Sequence, residues 1–315
     1  FQGGVGTLSF AFCDNSGIDS VDNDVFQEIN GRSLGNLANH ISKDESHIYV
    51  VMNGAATVEI LDRNTLASIG TITGFKSPRQ AINLNDGYIY VSDWGSNAIY
   101  KVNVSTSSIV DSLKNCNGPE GMFLADGKLF AANSGGYALD STVSVYNLNN
   151  MTFEGKIQVG INPVEIIDDP YFNLWVLCSG YSDWSGTAGG DRYSSLFNID
   201  PRTLNILMSH ANTVITDHPS KLRSNLLGDK FYFIQDSYSG NIMEFLPSEF
   251  KYPTQPFISH PAYGLAIDEA NGNLLVLDAL DYQSPGKALL YSDNGSVIDS
   301  SAVGLIPSVA INIRY

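Results

Sequence analysis

The chain predicts an all-β fold assembled from one repeated four-stranded antiparallel unit, and three observations predict it. First, residues 78–119 read PRQAINLNDGYIYVSDWGSNAIYKVNVSTSSIVDSLKNCNGP. They hold four short runs rich in β-branched and aromatic residues, QAINL, YIYVSD, AIYKVNV and SIVDSL, each set off from the next by turn residues. Second, Pro78, Pro119, Pro163, Pro219, Pro261 and Pro307 punctuate the chain, with gaps of 41, 44, 56, 42 and 46 between successive numbers. Third, the same order follows each proline: a short strand, a turn, then a stronger strand. The stronger strands are HIYVVMN, YIYVSD, KLFAAN, LWVLCS, FYFIQD and LLVLD. Four strands in about 40–45 residues make a β-propeller blade, whereas solenoid repeats have fewer strands and shorter periods.

The 315 residues divided by seven give 45 per blade, so the repeat consumes the chain as one domain, 1–315. A chain of about 300 residues buries about three-quarters of its unfolded surface and needs no disulfide or metal staple. Six complete units are expected at 36–78, 79–119, 120–163, 164–219, 220–261 and 262–307. Before them, TLSFAFCD and VFQEI read as strands, but no inner strand opens a blade there. At the other end SVAINIRY (308–315) resembles the inner strand AINL and then stops. Pairing SVAINIRY with TLSFAFCD (7–14) completes a seventh blade from 308–315 plus 1–35 and leaves no sheet edge exposed.

Within a unit, Asp86-Gly87 supplies a tight hairpin that tolerates positive φ. The fourth unit is about a dozen residues too long; the excess is CSGYSDWSGTAGGDRYSS (178–195), between its second and third strands. Long loops cost little closure entropy and often carry function. The third unit has a shorter version, NSGGYALDST (133–142). In a propeller the loops between second and third strands share a face with the blade-to-blade connections. Five of the six such loops carry a bulky aromatic: Trp94, Tyr137, the trio Tyr181, Trp184 and Tyr193, Tyr238, and Tyr282. The connections add Arg79, Glu120, Glu165, Lys221, Arg223 and Tyr263. Some of these rings pack against neighbouring blades. The concentration on one face beside glycines points to a binding surface, since rings offer area at little rotamer entropy.

Net charge is −16, from 33 acids and 17 bases, which opposes nucleic acid or an anionic membrane as partner. No apolar run approaches the 18 residues of a membrane span. Cys13, Cys116 and Cys178 form neither a CxxC nor an even set, so a disulfide framework or zinc site is not expected. Cys13 and Cys178 end strands and read as buried hydrophobes. DNSGIDSVDND (14–24) lacks the calcium-loop spacing and reads as a solvated turn. No GxSxG, P-loop or Ser/His/Asp pattern is present. Asn103, Asn150 and Asn294 open glycosylation-type triplets of the kind that arise by chance. A tunnel metal would need several oxygen ligands from the inner strands. Those positions read Gln80, Gly121, Glu165, Lys221 and Tyr263, one acid facing one base. No catalytic residue, cofactor or metal is assigned.

IYVVMNGAATVEILDRNTLASIGTI and IYVSDWGSNAIYKVNVSTSSIVDSL resemble YVTN/YncE-type propeller repeats, with Asp62–Thr65 and Asp200–Thr203 matching the family's D-x-x-T turn. The resemblance covers nearly the whole chain. It implies a seven-bladed propeller that is exported and binds rather than transforms. The degenerate repeats and long insertion are similar to the lipoprotein branch of the family. A signal peptide or lipid anchor would then lie upstream of Phe1, and the protein would work as a monomer in the periplasm or at the cell surface. One group in that branch, the surface cobalamin-capture propellers (BtuG-like), passes a corrinoid to an outer-membrane transporter. The expected ligand is therefore a corrinoid or another large amphipathic nutrient. A glycan, a protein-interaction role centred on 178–195 and a tunnel hydrolase or lactonase remain as alternatives.

Overall fold

The computed structural model describes residues 6–14, 16–183, 190–236, 240–249 and 251–313. The chain packs as two compact units: Phe1–Val91 with Lys101–Asp111 and Pro261–Tyr315, and Ser92–Tyr100 with Ser112–His260. Among the described residues the strands form six four-stranded antiparallel sheets of the propeller-blade type and one two-stranded sheet.

In chain order, β1 (Phe10–Cys13) and β2 (Ile18–Asp22) make the two-stranded sheet, and a helix α1 (Val25–Asn30) follows. The four-stranded sheets are β3 (Ala38–Lys43), β4 (His47–Met52), β5 (Thr57–Asp62) and β6 (Ser68–Ile72); β7 (Pro78–Asn83), β8 (Tyr88–Asp93), β9 (Ala98–Asn103) and β10 (Ser108–Leu113); and β11 (Pro119–Ala125), β12 (Lys128–Asn133), β13 (Thr142–Asn147) and β14 (Thr152–Gln158). Then come β15 (Pro163–Asp168), β16 (Leu174–Cys178), β17 (Ser195–Ile199) and β18 (Ile206–Ala211); β19 (Ser220–Ser224), β20 (Phe231–Ile234), β21 (Gly240–Phe245) and β22 (Ile258–Ala262); and β23 (Gly264–Ile267), β24 (Leu274–Asp278), β25 (Pro285–Tyr291) and β26 (Val297–Leu305). Pro78, Pro119 and Pro163 each open an inner strand, the position at which a missing N–H costs the ladder least.

The second strand of each blade reads as an unbroken apolar run because both its faces are covered. In unit 2, β16 shows how. Leu174, Val176 and Cys178 join one core with Phe130, Val145 and Ile166. The alternate residues Trp175 and Leu177 join another with Leu222, Phe233 and Phe245. Side chains alternate faces along a strand, so one strand serves two cores. The turns are fixed locally. Asp62 Oδ1 accepts the Thr65 backbone N–H and hydroxyl, each at 2.8 Å, and Asp200 Oδ1 accepts the Arg202 N–H at 2.9 Å. The D-x-x-T pattern is thus a side-chain-closed turn.

Four sequence expectations need correction, all in unit 1. VFQEI is helical, not extended. Val25 and Phe26 are buried together, and Gly31 at φ 66° stops the helix in the left-handed region that glycine enters freely. The stretch 14–24 is not only a turn: Asp14 closes it by accepting the Ser16 N–H at 2.6 Å, and β2 runs through the rest. Cys13 is exposed at the end of β1, whereas Cys116 and Cys178 are buried.

The fourth correction concerns the termini. Residues 307–313 carry no strand. Ser308 Oγ donates to Ala38 O at 3.5 Å and Lys43 Nζ donates to Asn312 O, so the segment is tied to β3 at two points. The β1–β2 hairpin leans instead on β26, with Ile18 N–H donating to Asp299 Oδ2 at 2.9 Å. Leu8, Phe10, Ile311 and Ile313 share one core, yet a cavity of about 340 Å³ lies between the two segments.

Candidate ligand-binding face

Unit 2 gathers the loops and connections at one end of its blades. Ser92 Oγ, at the close of β8, donates to Glu120 O on β11 at 2.8 Å, and Ser179 Oγ, just past β16, donates to Pro219 O at 2.5 Å. His218 Nδ1 lies 2.9 Å from Ser179 O. These two second strands are thus tied to the chain entering the next blade. Unit 1 repeats the tie, where Asn53 Nδ2 donates to Pro78 O at 2.9 Å.

The inner strands bulge at this end. Pairing shifts register between Pro119 and Met122 on β11, Pro163 and Glu165 on β15, and Ser220 and Arg223 on β19. A bulge bends the strand and re-aims its side chains. Lys221 sits in the last one at φ 58°. Glu165 and Arg223 are brought together by these bulges, with Arg223 Nη1 3.4 Å from Glu165 Oε1. Arg223 thus joins Lys221 as a base at this end, and it is Arg223 that the bulge of β19 sets against the inner-strand acid. Arg223 also donates to Leu222 O at 2.7 Å, which holds the guanidinium in place.

The loop aromatics fall into pairs. Trp94 and Tyr137 meet edge-on, ring centroids 6.0 Å apart and planes at 78°. The loop 134–141 that carries Tyr137 is folded by Asp140, which accepts from the Asn117 amide at 3.0 Å and the Thr142 hydroxyl at 2.6 Å. Gly118, at φ 54°, lets that loop close: a Cβ there would stand 1.9 Å from Gly136 N. Tyr137 itself is 83% exposed. At the base of the long insertion after β16, Tyr181 and Arg192 exchange backbone hydrogen bonds of 3.0 and 2.8 Å. Tyr193 is 50% exposed and Tyr181 36%. Trp184 and Tyr238 lie outside the described residues.

Three of the residues singled out from sequence belong to unit 1. Tyr263 and Tyr282 meet edge-on at 5.4 Å, and the Arg79 carbonyl accepts from Asn39 Nδ2 at 2.7 Å. Trp175 is core, its indole N–H donating to buried Asp169 at 3.0 Å. Sequence reasoning passed over Arg192 and Asp140, whose roles depend on what their loops fold against. Within unit 2 the arrangement offers rigid exposed rings for stacking, with a carboxylate and a guanidinium at the nearby strand starts for orientation. Among the described residues, no three His, Cys, Asp or Glu side chains converge as a metal cage.

No protein-family model matches the chain, and no curated protein sequence matches it. Solved structures do. Hydrazine synthase of Kuenenia stuttgartiensis aligns with 14% identity and a TM-score of 0.70, over 86% of this chain and 88% of that one. A quinoprotein alcohol dehydrogenase-like protein from Bacteroides thetaiotaomicron aligns with 14% identity and a TM-score of 0.71, over 95% of this chain and 77% of that one. At this identity the likeness is one of fold, and the fold is a β-propeller.

Proposed function

We propose that the chain is a non-enzymatic binding propeller whose loop face captures a large amphipathic ligand, with a corrinoid as the best candidate. Tyr137 carries the reading. It is 83% exposed, yet its ring is braced edge-on by Trp94. A ring held rigid while left open to water contributes little to folding and is suited to a partner that covers it. Tyr181 and Tyr193, and the Glu165–Arg223 pair, belong to the same end of the same unit's blades and support the same use. On this reading the protein works outside the cytoplasm, and an outer-membrane transporter receives the ligand. A glycan is the second reading, because exposed tyrosine rings stack on sugars as readily.

The test is co-elution of purified protein with cyanocobalamin on a sizing column, followed by the corrin's visible absorbance. Absorbance travelling with the protein supports corrinoid capture. Its absence at ligand concentrations well above micromolar removes the corrinoid, and the same face is then screened against glycans.

A further inference from the structure

Unit 1 holds a second cavity, at the strand ends away from the loop that follows β4. It lies between the β3–β4 turn on one side and the β7–β8 and β9–β10 turns on the other, with a volume of about 560 Å³. That size falls within the ~300–1,000 Å³ typical of small-molecule pockets. Its walls approach closely because β6 has a glycine there: a Cβ on Gly70 would stand 2.2 Å from Ser107 Oγ.

One side of the cavity is pre-organised. The Asp44 carboxylate accepts the backbone N–H groups of Ser46 at 2.7 Å and His47 at 2.6 Å, together with the hydroxyl of fully buried Tyr49. His47 Nδ1 is 3.2 Å from both Asp44 oxygens. In the neutral ring, an Nδ1–H given to a carboxylate leaves Nε2 as an acceptor. His47 and Asp44 both line the cavity, and so do Asn85, Asp86, Tyr88 and Ser105.

The lining narrows the ligand by chemistry. An anion would face the carboxylates of Asp44 and Asp86. An apolar ligand would find only Ile69 and Val104 as aliphatic walls. Nucleophilic catalysis needs a hydroxyl bonded to the histidine. Ser105 Oγ instead donates to Asn103 Oδ1 at 2.8 Å, and the hydroxyl beside His47, that of fully buried Tyr49, is given to Asp44. The mix of carboxylate, amide, hydroxyl and imidazole groups beside a tyrosine fits a neutral ligand rich in hydroxyls, each able to donate and accept, with a ring face. We propose that this cavity is a saccharide site, separate from the loop face. His47 Nε2, Asp86 and Asn85 would bond the sugar hydroxyls, and Tyr88 would supply the ring.

Isothermal titration with maltotriose, cellotriose, mannotriose and N-acetylchitotriose tests this on the full chain. At least one sugar is expected to saturate the wild type at one site. His47→Ala and Asp86→Ala should each weaken that binding about tenfold or more, and Tyr137→Ala should leave it unchanged. Asp86 lies on an exposed turn, so its variant keeps the test valid if His47→Ala does not fold, which a melting curve reports. Binding by none of the four sugars overturns the proposal. So does binding that survives Asp86→Ala, or binding lost with Tyr137→Ala, which would assign the sugar to the loop face. Because Tyr137→Ala probes the loop face separately, failure here and failure of corrinoid capture are distinguishable.

Discussion

Trp94 braces Tyr137 edge-on across 6.0 Å, and the two residues belong to loops of successive blades. The contact turns a solvent-facing tyrosine into a fixed feature of the surface. It depends on Gly118, whose positive φ and lack of a side chain admit the Gly135–Gly136 turn.

Gly118→Ala should therefore cost more than a surface substitution does. Alanine is strained at positive φ, and its methyl would overlap Gly136 N, so a loss of about 2 kcal/mol or more is expected. Tyr137→Ala removes only the ring pair and should cost about 0.5–1.5 kcal/mol. Urea titrations of the two variants beside the wild type give both numbers. A Gly118→Ala protein as stable as the wild type would show that the loop closes some other way.

The Glu165–Arg223 pair should contribute little to stability. Its charges are 3.4 Å apart and part-exposed, at 19% and 29%. A double-mutant cycle with Glu165→Gln and Arg223→Ala is expected to give a coupling below about 1 kcal/mol. Arg223→Ala alone should cost more than Glu165→Gln, since it also loses the bond to Leu222 O. A coupling of several kcal/mol would mean the pair is far less solvated than its exposure indicates.

Acid should loosen the D-x-x-T turns. The Arg202 side chain and backbone hold Asp200 down to about 2 from an ordinary 3.8, and the Thr65 hydroxyl and N–H lower Asp62. A carboxylate depressed in the folded state contributes stability above its unfolded value, and that contribution fades as the pH falls through the folded one. Asp200→Ala should thus be less stable than wild type at pH 6. The difference should shrink between about pH 4 and pH 2. Urea midpoints across that range read it out, and a difference that stays constant would contradict the turn's role.

The three thiols should separate by accessibility. Burial pushes Cys178 up to about 12 and also raises Cys116, while Cys13 is exposed, its thiol raised by desolvation and by Asp19 and Asp268. Ellman's reagent at pH 8 should titrate one thiol in the native protein, slowly, and three in urea. Fast native reaction of a second thiol would place Cys116 or Cys178 outside its core.

The blade repeat was legible because it is written locally. Hairpin spacing, Asx turns and the apolar second strands are all set by residues within about ten positions of one another. Thus β7 to β10 start at residues 78, 88, 98 and 108, within the four runs of the Pro78 unit or two residues ahead of them. The helix at Val25–Asn30 was not legible: five residues with three apolar ones fit either period, and Gly31 is the only stop signal. Nor was the partner of Glu165. Arg223 lies 58 residues away, and a one-residue bulge in β19 sets where its side chain falls. The terminal segments resemble an inner and a second strand, but the competition from β3 and β26 for their polar groups has no local signature. Asp44 and His47 were visible only as part of a turn, because the cavity they line is completed by residues 40 to 60 positions further on.

Ligand capture on the loop face by exposed rings is measured by cyanocobalamin titrations of the wild type and a Tyr137→Ala/Tyr193→Ala variant, each checked for an unchanged melting curve. Saturable binding by the wild type is expected, with at least about a tenfold loss in the variant, equivalent to ~1.4 kcal/mol. Equal affinities, or no binding by the wild type, would contradict it.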